Sequence, residues 1–137
     1  MIFTDVELEY LASQRLGRLA TAQPDGTLQV SPVGFAYNPD TATIDIGGYT
    51  MSNSRKFRNV ADNGRVAFVV DDLASVQPWR VRCLEVRGHA EAIEAPVSPD
   101  SDVDRAIIRI VPQRIISFGL DQPDVEPHLL TPNSRSV

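Results

Sequence analysis

The chain has 137 residues, 42% of them apolar, and a formal net charge of −5, which fits one globular domain with a real core. The acidic balance argues against nucleic acid as a partner, because binding phosphates needs a basic field. No apolar run approaches the roughly 20 residues of a membrane-spanning helix, and the opening MIFTDVELEY shows no secretory pattern. The lone Cys83 excludes an internal disulfide framework and fits a reducing cytoplasm.

Thr4 followed by Glu7 has capping-box spacing and predicts a first helix, with Val6, Leu8 and Leu11 as a modest apolar face. Strands follow over 18–23 and 28–37, separated by the turn Pro24-Asp25-Gly26. Pro32 cannot donate to a ladder, so it places the second strand at an edge or a bulge. After the turn Asn38-Pro39-Asp40 comes a third strand over 43–48. Residues 52–61 predict a short helix capped by Ser52 or Asn53. The run RVAFVV reads as a strand buried on both faces. Residues 81–93 alternate, with Leu84, Val86, Gly88, Ala90 and Ala92 on the face opposite Glu85, Arg87, His89 and Glu91.

A last strand is expected over 104–118. Six strands, two short helices and no βαβ rhythm predict a mostly β fold, a six-stranded antiparallel barrel. The stretch 95–104 reads as a solvated loop. The domain is expected to end near residue 120, leaving 121–137, with three prolines, as an irregular tail in which Arg135→Ala should not disturb the placement of a bound ligand.

Most familiar catalytic patterns are missing. His89, His128 and Cys83 are too few for the usual zinc site. Cys83 reads as a small hydrophobe, and neither a Gly-x-Ser-x-Gly elbow nor a glycine-rich phosphate loop occurs. The informative stretch is GGYTMSNSRK, 47–56. Two glycines there would let a ligand approach the backbone. Hydroxyls, a helix N-terminus and two cations follow, and together they suit a phosphate. Of 13 basic residues only Lys56 is lysine. An arginine bias of that degree fits a GC-rich genome such as an actinobacterium's, and a surviving lysine suits a site that needs a compact point charge.

The blocks GRLATAQPDGTLQVSPVGFAYNP, SRKFRNVADNGRVAFVVDD, PWRVRCLEVRGHAEAI and RIVPQRIISFGLD, in this order, resemble the pyridoxamine-phosphate-oxidase-like split-barrel superfamily. The chain is most similar to the branch that uses coenzyme F420, a deazaflavin. The resemblance implies a homodimeric split barrel with two cofactor sites along the interface. It implies that Arg55 and Lys56 bind the cofactor phosphate with the hydroxyls of Thr50 and Ser54. Gln29, Val30, Ser31, Pro32 and Val33 would lie along the ring system, and Gly48 and Tyr49 would flank the ribityl chain. Trp79 would come from the other subunit. Two departures stand out: Phe118 occupies a position where relatives often carry Trp, and the 95–104 connection is short.

The function implied is hydride transfer between coenzyme F420 and a small unsaturated or conjugated substrate. FMN is the alternative cofactor. A carrier of flavin or haem, with His89 as the only axial ligand on a regular element, is a third reading. An oligonucleotide-binding barrel would need aromatics interleaved with basic residues on one face, which this composition does not supply.

Overall fold

The computed structural model describes residues 1–95 and 104–137. One antiparallel sheet contains β1 (Leu16–Ala22), β2 (Leu28–Gly34), β3 (Ala36–Asn38), β4 (Thr43–Ile46), β5 (Arg65–Ser75), β6 (Arg80–Ile93), β7 (Ile107–Phe118) and β8 (Asn133–Ser136). Helix α1 (Asp5–Ser13) precedes the sheet, and α2 (Arg55–Asn63) follows β4. The strands run β2-β1-β5-β6-β7-β4-β3, with β8 beside β7. β2 and β3 stand at opposite ends of this path, yet only Phe35 separates them in the chain. The sheet therefore curls until its edges approach, which is the expected split barrel.

Among the described residues eight strands replace the six expected, and the excess is two short ones. The 28–37 run breaks at Phe35 into β2 and β3, and the tail supplies β8. Pro32 lies in the edge strand β2, opposite Arg18 of β1, as a residue without an N–H donor requires. The run 65–70 is not buried on both faces. Phe68 and Val70 are buried while Val66, Ala67 and Val69 are half-buried, because only the inner face of the curl is filled. The expected loop at 95–104 lies, apart from its two ends, outside the described residues.

The curl encloses Leu19, Ile44, Ile46, Phe57, Val60, Phe68, Val70, Leu84, Val86, Ile108, Ile110 and Ile115. α2 contributes Phe57 and Val60 and ends at Gly64, which has φ +68°. A side chain there would meet the His89 ring, so both the left-handed backbone and the space demand glycine.

α1 forms the expected capping box: Thr4 N donates to Glu7 Oε1 at 2.9 Å, and Glu7 N to Thr4 Oγ1 at 3.2 Å. Its buried face is Glu7, Tyr10 and Leu11, rather than the face centred on Val6, Leu8 and Leu11. The reason lies at the other end of the chain. Glu7 is fully buried and receives Arg135 Nη2 at 2.6 Å, Arg135 Nη1 at 3.1 Å and Ser117 Oγ at 2.6 Å. Arg135 also donates to the Ile2 carbonyl at 2.6 Å.

The tail is thus not irregular to its end, and Arg135 is tied into the fold. After a 3-10 turn (Pro127–Leu129), β8 pairs with β7 and delivers Arg135 to Glu7. Burial alone would push the Glu7 carboxyl upward, but the bonds from Arg135, Ser117 and Thr4 outweigh it and hold the group below its ordinary value.

Breaking a buried pair from one side strands the other charge. Arg135→Ala should therefore destabilise the fold by about 3 kcal/mol in urea unfolding. A carboxyl whose folded pKa is depressed stabilises above its unfolded value of 4.5 and loses that contribution as pH falls through the folded value. Unfolding profiles should show stability dropping below about pH 4.5, with a shallower drop in Glu7→Gln. An unchanged profile in that variant would remove Glu7 from the account.

Candidate functional site

The stretch singled out in the sequence connects β4 to α2 through a 3-10 turn, Met51–Asn53. Gly47 and Gly48 are exposed, and neither has φ in the left-handed range. A Cβ on Gly47 would meet nothing within 4 Å, and one on Gly48 only Met51 Cε at 3.7 Å. Neither backbone conformation nor internal packing requires glycine here. What remains is the open face itself, over which a ligand can lie against the backbone.

The next residues divide the work differently from the sequence expectation. Ser54, not Ser52 or Asn53, caps α2: its Oγ accepts from Phe57 N at 3.2 Å and donates to the Met51 carbonyl at 2.7 Å. The Ser54 proton is thus committed within the turn. Ser52 is committed as well, with its N–H and hydroxyl reaching the Asp104 carboxylate at 2.9 and 2.5 Å. The Ser52 hydroxyl and the backbone N–H groups of Ala106 and Ser52 hold the Asp104 carboxyl below its ordinary value. Asp104 is the residue that sequence reasoning missed: it lies 52 positions from Ser52, and no local pattern links them.

Thr50 is exposed on the approach to this turn, and Tyr49 is 88% exposed. Arg55 and Lys56 occupy the first turn of α2, where free N–H groups and the helix dipole already favour an anion. Among the described residues neither cation forms a salt bridge.

The ring strand is β2. Among the described residues this edge strand pairs only with β1, so half of its backbone N–H and C=O groups face outward without a ladder partner there. Its side chains alternate: Gln29, Ser31 and Val33 turn to the inner side, with Val33 buried, whereas Val30 and Pro32 are exposed. The five residues therefore cannot all present side chains to one ring. The Ser31 Oγ is buried and lacks a hydrogen-bond partner among the described residues, an uncommon state for a hydroxyl. The α2 residue Asn59 joins strand to helix, donating to Gln29 Oε1 at 3.3 Å and to Thr21 Oγ1 at 3.0 Å.

Trp79 is not part of this assembly within one chain. β5 starts just after α2 and runs 11 residues, about 35 Å at strand rise, before the turn that carries Trp79. There the Arg80 Nη1 donates to the Trp79 carbonyl at 3.0 Å and its Nη2 to the Asp124 carbonyl at 3.4 Å. The indole is 53% exposed. The outer face of the sheet is also apolar: Leu28 is 77% and Val30 69% exposed. A groove of about 310 Å³ there is lined by Arg18, Ala20, Val30, Ala67, Val69 and Glu85, with Phe68.

Cys83 has no nucleophilic character, since burial and then the nearby Asp71 and Glu85 push its thiol up to about 11. Among the described residues no group of three His, Cys, Asp or Glu could hold a metal ion, and no helix is long and apolar enough to cross a membrane.

Residues 3–119 match the pyridoxamine 5'-phosphate oxidase family. The chain belongs to that family. A Streptomyces rimosus subsp. rimosus protein named 5a,11a-dehydrotetracycline/5a,11a-dehydrooxytetracycline reductase is 42% identical over 127 residues, which cover 88% of this chain and 86% of the relative. A conserved hypothetical protein of Mycobacterium tuberculosis shares the fold, with a TM-score of 0.72, 21% identity and coverage of 92% and 91% of the two chains. A solved structure named F420 reductase matches with a TM-score of 0.57 and 29% identity, over 74% of this chain and 88% of that one. This member of the oxidase family is a flavin- or deazaflavin-type oxidoreductase.

The commitment of the Ser54 hydroxyl to the turn has a measurable consequence. Ser54→Ala should cost about 1 kcal/mol of stability, the usual value of an N-cap, measured by thermal or urea unfolding. A variant as stable as the parent would show that the cap contributes nothing.

Proposed function

We propose that this protein is a homodimeric reductase that holds coenzyme F420 and passes a hydride to a small conjugated substrate. The observation that carries this reading is the pairing of two open features. One is the basic turn over 47–56, whose glycines serve no internal purpose. The other is the edge strand β2, with outward backbone groups and a buried, unpartnered Ser31 hydroxyl. A phosphorylated ring cofactor fits both: an anion for the turn, and a polar planar edge for the strand.

In this reading Arg55 and Lys56 hold the phosphate together with the N–H groups of the first turn of α2 and the hydroxyl of Thr50. Gly48 and Tyr49 flank the ribityl chain. The backbone of β2 orients the ring, and Pro32, exposed on this edge strand, supports one of its faces. The bound ring supplies the hydride chemistry, so the protein needs to bind, orient and exclude water, without a dedicated catalytic acid or base. The solved F420 reductase at 29% identity supports the deazaflavin. The relative named for reducing 5a,11a-dehydrotetracycline supports a conjugated substrate. FMN is the second reading, favoured by the family match to pyridoxamine 5'-phosphate oxidase, and it would use the same residues.

The dimer rests on the apolar outer face. Leu28, Val30, Leu16 and Trp79 are large side chains left in water by a single chain, and burying each is worth roughly 1.5–3 kcal/mol. In this reading the Trp79 turn of the second chain reaches the cofactor site. Light scattering at micromolar concentration should give twice the chain mass of 15.1 kDa. A monomer would rule out a site built from two chains.

Titration of the purified protein with F420 and with FMN separates the two cofactors by affinity. Lys56→Ala should weaken the preferred one by about 1.5–3 kcal/mol, the scale of a charge-assisted hydrogen bond, with little change in stability. Lys56→Arg should bind less well than the parent, since a planar fork is not a point charge. Equal affinity in parent and Lys56→Ala would place the anion elsewhere.

A further inference from the structure

Asn59 is 2% exposed, and a buried amide costs stability unless its bonds are made. Its Nδ2 makes two, to Thr21 Oγ1 in β1 and Gln29 Oε1 in β2. Thr21 and Gln29 face each other directly in the β1–β2 ladder, so one amide spans a cross-strand pair. Thr21 is buried, and that bond alone would anchor the helix to the sheet. Asn63 supplies a second anchor, from its Nδ2 to the Ala22 carbonyl at 2.7 Å. The bond to the half-buried Gln29 adds nothing that these two anchors lack, except control of Gln29.

That control has a direction. With its Oε1 engaged by Asn59, the Gln29 side chain turns its NH₂ group, a donor of two hydrogen bonds, away from α2. Asn59 stands one helical turn beyond Arg55 and Lys56 on the same helix, so it also ties the basic turn to the edge strand. We infer that Asn59 is a positioning residue that presents Gln29 as a hydrogen-bond donor to a carbonyl on the ring of the bound cofactor. It would do so at a distance from the phosphate set by α2. This rests on the proposed function, and flavin and deazaflavin serve equally, since both rings carry a pyrimidinedione edge with carbonyl acceptors.

The test is a set of FMN and F420 titrations on the full chain as it purifies, in parent, Asn59→Ser, Gln29→Ala and the double variant. Serine keeps a short polar group beside Thr21 but cannot reach Gln29, so the fold is preserved better than with alanine; Asn59→Ala is the second variant. Gln29→Ala should weaken binding by about 5–10-fold, the scale of one hydrogen bond, and Asn59→Ser by a comparable factor. Because Asn59 acts through Gln29, the double variant should lose no more than about twofold beyond Gln29→Ala. The absorption band of the bound ring should shift alike in both single variants. Losses that multiply in the double variant, or Asn59→Ser binding as tightly as the parent with only its melting temperature lowered, would overturn the inference and leave a purely structural amide. A parent that binds neither FMN nor F420 would instead overturn the proposed function, and this inference with it.

Discussion

The Glu7 carboxylate is the constraint on which much of the barrel rests. It is fully buried, and it is tolerable there only because Arg135, Ser117 and the Thr4 N–H surround it. Those groups come from the start of the chain, from β7 and from β8. One charge therefore holds α1 against the sheet and makes the last strand part of the fold. Tyr10, one turn further along α1, adds a second tie through its hydroxyl to Asp72 at 2.8 Å, and Asp72 in turn pairs with Arg82. With α1 fixed at both points, that side of the barrel is closed.

The opposite side stays open. Both helices sit where the curl needs filling, and neither covers the outer face of β2, β1 and β5. The same decision leaves β2 as an edge with free backbone groups and leaves the 47–56 turn facing solvent. A binding surface and an uncovered apolar surface thus arise together from one shortage of helices.

Several features were legible in the residues. The Thr4/Glu7 capping box is local, set by a three-residue spacing, and it forms as the pattern requires. Pro32 announces an edge strand because a missing donor is a property of the residue itself. The alternation over 81–93 places Leu84, Val86 and Ala90 inside. The basic turn is legible for the same reason: its glycines, hydroxyls and cations fall within ten residues of one another.

What the sequence by itself determined is therefore what depends on near neighbours: the Thr4/Glu7 cap, the alternation over 81–93, the edge at Pro32 and the clustering of glycines, hydroxyls and cations over 47–56. Only the tertiary structure decided the rest. It paired Glu7 with Arg135, 128 positions away, Ser52 with Asp104, and Asn59 with Gln29. It turned a proline-rich tail into a strand. It also sent Trp79 to the far end of β5. Each of these depends on which strands lie side by side, and that follows from how the sheet curls to bury one face, a property of the whole chain that no short window of residues contains.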